Sequence, residues 1–264
     1  MKIRALAAAL PLGLPLPAAG YPGGTPDYQT DVAPFCAGCH SSRDAAALAG
    51  AGEKAEKDVA ERKHLAQILT GQGGYGDLSE TDRKTLAEQI RALDAASTVS
   101  LEAPAKVARD QTFEVVVKVT GGAGPVVGVA LVDRDHRWYA RPASAAGWQV
   151  AAPPRIAGSD GQPATSWLER RPAALDRLVS YVNVPGIASE AALEKWARAE
   201  VVFTLRAPSR PGALPLAAVY LYGTEKSSLL GYTTDAMGTK KVRGGTFSSS
   251  GRVLFTPVRT IGVE

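Results

Sequence analysis

Apolar positions recur at two different periods along this chain, and the change falls near residue 97. From Asp58 to Leu69, Ala60, His64 and Ile68 stand four apart with Leu65 and Leu69 beside them, which predicts one face of a helix. Gly71 is placed to end it. Ser79-Glu80-Thr81-Asp82 has the S-x-x-D form of a capping signal, and Leu86, Ile90 and Leu93 follow at helical spacing. That predicts a second helix over about 79–94. The segment between them, Gly-Gln-Gly-Gly-Tyr-Gly-Asp, reads as a flexible loop able to lie close to a flat cofactor. Downstream the pattern shortens to alternating and continuous apolar runs. Strands are predicted over Thr112–Thr120, Val126–Asp133, Arg177–Val184, Val201–Arg206, Leu214–Tyr222 and Arg252–Val258, with Gly, Pro or Ser between them. A Ser cap followed by Leu193, Trp196 and Ala197 predicts one helix at about 189–199.

Composition divides at the same place. Residues 21–97 carry 8 Lys and Arg against 12 Asp and Glu, whereas residues 98–264 carry 20 against 14. The chain of 264 residues suits one large or two modest domains, and the switch in period and charge favours two. Residues 1–20 form a separate segment: Lys2 and Arg4, an apolar stretch from Ala5 to about Leu16, then Ala18-Ala19-Gly20. This order is that of an export signal, too short to span a membrane as a mature helix. The expected organisation is a signal peptide at 1–20, an acidic helical domain at 21–97 and a basic β domain at 98–264. The mature protein is expected to be periplasmic or extracellular, with no membrane span and no nucleic-acid partner.

The chemistry concentrates in residues 36–40, Cys-Ala-Gly-Cys-His, which hold both cysteines of the chain. Two thiols at this spacing each form a thioether to one vinyl group of a haem, and the histidine that follows is then the proximal iron ligand. A structural zinc site wants four Cys or His ligands, and beyond the motif only His64 and His136 are available. A thioredoxin-type pair wants a βαβ pattern around it, which is missing here. A disulfide across two residues is a short, strained loop and leaves the adjacent His unexplained. One covalent haem c on Cys36, Cys39 and His40 is the expectation.

With Asp31-Val-Ala-Pro-Phe before this motif, His64-Leu-Ala-Gln-Ile-Leu-Thr-Gly-Gln-Gly after it, and the helix pattern ending at Leu93, residues 27–95 resemble a small class I cytochrome c. The resemblance implies a small all-α fold wrapped round one haem, used for one-electron transfer, with Ile68 packed on the distal haem face. Members carry a Met in the loop between the two helices as distal ligand. Here that position is Tyr75, and the methionines are Met1 and Met237. Four distal arrangements stay open: His64, Tyr75, Met237 reaching from the β domain, or an open iron. A phenol binds iron well only when deprotonated, so Tyr75 equally reads as an aromatic of the haem pocket.

In the β region, Phe203-Thr-Leu-Arg-Ala-Pro followed by Leu216-Ala-Ala-Val-Tyr-Leu-Tyr-Gly is similar to reelin-type sandwiches, which implies a binding or spacing module. The expected fold class is multidomain, a small all-α cytochrome c domain followed by an antiparallel, immunoglobulin-like β-sandwich. The expected function is a periplasmic carrier of single electrons that meets redox partner proteins. The alternative is a haem enzyme or small-ligand sensor with an open or weakly ligated distal site. Loss of a Met ligand moves the potential downward relative to His/Met coordination.

Overall fold

The computed structural model describes residues 40–43, 57–225, 232–234, 240–242 and 250–264. The signal expected at 1–20, both cysteines and Met237 lie outside the described residues. Two main sheets dominate. The smaller is antiparallel, in the order β2 (Thr98–Glu102), β4 (Thr112–Thr120), β8 (Arg198–Arg206), β6 (Gln149–Ala157). The larger is seven-stranded and centres on β9 (Gly212–Gly223). On one side β9 pairs with β5 (Ala123–Val132), which carries β7 (Tyr181–Pro185). On the other it pairs in turn with β13 (Arg259–Val263) and β12 (Arg252–Phe255). Two short strands add parallel edges: β1 (Ser41–Ser42) on β12 and β3 (Lys106–Val107) on β13. A separate hairpin joins β10 (Tyr232–Thr234) to β11 (Lys240–Val242).

The core follows from the period-two pattern. Phe113, Val115, Val117 and Val119 of β4 and Ala199, Val201, Phe203 and Leu205 of β8 are buried, while the residues between them are less so. Those side chains meet Val129, Leu131, Val182, Val184 and Val219 from the larger sheet in one apolar cluster. From Leu216 to Tyr222, β9 is buried on both faces, as a central strand must be when each face is covered.

The helical region departs from the expected fold class. A π-helical turn, Glu61–Leu65, runs into α1 (Ala66–Thr70), which ends at Gly71 with φ of 73°. After the loop, α2 (Glu80–Ala96) starts on Ser79, whose Oγ accepts from the Asp82 N–H at 3.1 Å. These helices form where periodicity and cap predict them. They do not make a small all-α domain: among the described residues the protein is mostly β, and the chain directly after His40 is a strand of the larger sheet. The expected all-α domain followed by an antiparallel, immunoglobulin-like sandwich is therefore replaced by a mostly β protein of two main sheets with helices laid on it. The physical reason is visible in what the helices bury. Their own apolar cluster is small, Leu65, Ile68, Tyr75, Leu86, Ala87 and Ile90, and their inward stripe also carries the polar His64 and Asp94, which meet Arg252 of β12, with Glu225 just past the end of β9 as a further partner of His64.

Two further expectations change. The predicted helix at 189–199 is a 3-10 turn at Ala191–Leu193, after which Arg198 enters β8. Ser189 caps a turn instead, its Oγ accepting from the Ala197 N–H at 3.0 Å, and Ala191 packs beside Leu93 and Ala123. The single strand predicted at 252–258 stops at Phe255 and resumes as β13, the Thr256 N–H and Oγ both bonding to the Ala218 backbone between the two. Among the described residues no helix is long and apolar enough to cross a membrane.

Candidate functional site

The segment that follows the Cys-Ala-Gly-Cys motif is pinned to the sheet. The Ser41 N–H donates to the Gly251 carbonyl at 2.8 Å, and Ser41 and Ser42 stand opposite Arg252 and Val253. Buried Arg137, from the loop after β5, donates to Ser42 Oγ at 3.3 Å and lies 3.7 Å from Asp58. Three residues past His40, Arg43 caps the end of α2 by donating to the Asp94 and Ser97 carbonyls at 2.9 Å each. His40 is thereby held against β12.

His40 Nδ1 lies 3.0 Å from the Arg252 carbonyl oxygen. A carbonyl only accepts, so Nδ1 carries the proton and Nε2 keeps a lone pair that a metal could use. Burial lowers the basicity of this half-buried imidazole first, the Arg252 carbonyl opposes that, and the charges of Arg137 and Arg252 lower it further, to about 4. The ring is neutral at pH 7, as a ligand must be. Its fit depends on Gly251: a Cβ there would stand 2.8 Å from Nδ1. Gly251→Ala is expected to push the imidazole off the Arg252 carbonyl and to destabilise the chain by about 1–3 kcal/mol through overpacking. Urea unfolding of the variant checks this, and an unchanged midpoint would refute it.

His64 sits across the Arg252 side chain in a wholly buried seam. Arg252 Nη2 lies 3.0 Å from His64 Nδ1, and guanidinium only donates, so Nδ1 is the acceptor and Nε2 bears the hydrogen. Nε2 faces Glu225 Oε1 at 2.7 Å and the Tyr75 hydroxyl at 3.0 Å. Tyr75 donates to the same Glu225 oxygen at 2.5 Å, while Thr224 Oγ1 lies 2.8 Å from the other. Arg252 Nε donates to Asp94 Oδ2 at 2.9 Å, and Tyr222 donates to Asp94 Oδ1 at 2.8 Å. Burial would raise the Glu225 carboxyl, but the His64 imidazole and the hydrogen bonds from His64 and Tyr75 outweigh it and hold the group at about 2. Burial and the Asp94 charge push the Tyr222 phenol well up, so it stays a donor.

Of the residues marked by sequence, His64 and Tyr75 are brought into contact, and Ile68 lies fully buried in the apolar cluster that includes Tyr75. Among the described residues, His40 is linked to them through Arg252. Cys36, Cys39 and Met237 lie outside the described residues. Glu225, Arg252, Asp94 and Tyr222 were not foreseen. Asp94 carried a signal, one position after Leu93 on the inward stripe of α2. Arg252 heads a predicted strand yet is fully buried, a pattern that only its partners explain.

No family model and no curated protein matches this sequence. Motif and geometry alone therefore carry the functional argument.

Proposed function

We propose that this protein is an exported c-type cytochrome that holds one haem through Cys36, Cys39 and His40 and carries single electrons between partner proteins. The observation that carries the reading is the His40 hydrogen bond. An imidazole directly after a C-x-x-C pair, neutral, with Nδ1 committed to the Arg252 carbonyl, presents Nε2 as a haem ligand does. On this side the residues present fit the group. Haem so held supplies a one-electron couple; the chain's part is to keep His40 in one tautomer and orientation, to seal the seam behind it from water, and to offer a surface to a partner. Localisation in the periplasm or outside the cell belongs to the same proposal, since c-type attachment and the residues 1–20 pattern agree.

One observation favours the second reading, a haem protein with an open distal side that binds a small ligand. Both nitrogens of His64 are engaged, Nδ1 by Arg252 and Nε2 by Glu225 and Tyr75, so His64 binds iron only after giving up a charge-assisted bond to Glu225. The optical spectrum of the purified full-length protein, reduced and oxidised, with and without carbon monoxide, separates the two. A low-spin spectrum indifferent to carbon monoxide, lost in His64→Ala, is the outcome expected of a bis-histidine carrier. Rapid carbon monoxide binding and a His64→Ala variant of unchanged spectrum assign the second reading. Protein without covalent haem overturns both.

A further inference from the structure

Arg252 is engaged at both of its ends. Its backbone carbonyl accepts from His40 Nδ1, and its guanidinium donates to His64 Nδ1 and to Asp94 Oδ2. It is wholly buried, as are His64 and Tyr75, and Asp94 is 6% exposed. One residue at the head of β12 thus sets the tautomer of both histidines that the motif and helix pattern mark. Buried ion pairs contribute little to stability compared with apolar side chains of the same volume, because desolvation offsets their attraction. The Arg252–Asp94 pair therefore leaves room for a role beyond fixing where α2 sits on the sheet. It is also a fixed charge pair in a low-dielectric seam, where a charge acts on its surroundings far more strongly than in water.

We infer that Arg252 is a positioning residue of the redox centre and that the Arg252–Asp94 pair sets its potential, so that the sheet forms one wall of the centre and is more than a docking surface. This rests on the haem reading above. A buried cation beside His40 disfavours the ferric state, and a buried carboxylate favours it. Removing either charge shifts the couple in opposite directions, which a pair with a merely structural role does not do.

The test is the ferric-to-ferrous ratio of the full-length, haem-loaded protein at a fixed solution potential. Arg252→Met is expected to raise that ratio at least tenfold, which is about 59 mV downward for a one-electron couple. Asp94→Asn, which keeps the shape of the side chain, is expected to lower it by a comparable factor. The double variant is expected to return within about threefold of the parent. Shifts of the same sign in the two single variants, or changes below about threefold in both, overturn the inference. If Arg252→Met does not accumulate, the sign of the Asp94→Asn shift decides alone. If the purified parent carries no covalent haem, the functional reading falls, and histidine ring nitrogen NMR on that same protein judges the positioning role. Arg252→Met or Arg252→Lys must then alter the proportion of His64 protonated on Nε2, and an unchanged proportion in every variant that folds ends the idea.

Discussion

A chain carrying Cys36→Ser and Cys39→Ser together is expected to lose all covalently held haem while keeping its sheets. The first half follows from chemistry: without a thiol, no thioether forms to either vinyl group, and haem is then retained only by coordination and packing. The single variants are expected to keep one thioether each and to attach haem in reduced yield. The second half follows from where the apolar core lies. Val115, Val117, Val201, Phe203, Leu205 and Val219 are all fully buried, and they come from β4, β8 and β9, well removed in sequence from the motif. Denaturing gel electrophoresis with haem staining reads the first outcome, and far-ultraviolet circular dichroism reads the second. Haem staining that survives the double substitution would remove the C-x-x-C-H reading. Collapse of the β signal together with haem would mean that the sheets need the haem to fold.

How far the chain can be read unaided depends on whether the governing interaction is local. The alternation in β4 and β8, the Ser79 cap of α2 and the Gly71 stop of α1 are set by residues within a turn or a strand of one another, and all appear as the pattern predicts. β6 was invisible because it contains Pro153 and Pro154. It tolerates them because it is an edge strand with irregular register against β8, where missing N–H groups leave no ladder gap on an inner strand. The helix expected near residue 190 failed for the opposite reason. Its cap and apolar spacing are real, yet Ala197 and Ala199 are claimed by the core and by β8. The fold class failed at long range. Nothing local to His64 announces Glu225, 161 positions away, or Arg252, 188 positions away. The helices were legible as helices, but what they pack against was not.

The same seam explains why such costly groups sit at the join. A buried carboxylate without partners carries a penalty of several kcal/mol, so Glu225 and Asp94 select the one arrangement in which His64, Tyr75, Arg252 and Tyr222 reach them together. A helix pair placed by apolar contact alone slides with little loss, whereas one placed by this network does not. Neutral polar side chains satisfy the periphery, as Thr224 does by lying within reach of both the Glu225 carboxylate and the Ser250 carbonyl.

Acid should undo this join through Glu225. Its carboxyl titrates at about 2 in the folded protein against an ordinary value of 4.5. The folded value is depressed, so the stability it contributes is complete above about 4.5 and is lost as the pH falls toward 2, on the order of 3 kcal/mol in full. Between pH 6 and pH 3 the wild-type chain is therefore expected to lose about 2 kcal/mol more than Glu225→Gln, because only the wild type has this carboxylate to protonate. Other carboxylates titrate in both proteins and cancel in the difference. Urea unfolding of the two proteins at both pH values gives the comparison. At pH 6 the variant itself is expected to be the weaker, since the amide keeps an acceptor for Tyr75 but loses the charge that strengthens both hydrogen bonds. Parallel losses in the two proteins would mean that the His64, Tyr75 and Glu225 contact does not hold the helices to the sheet.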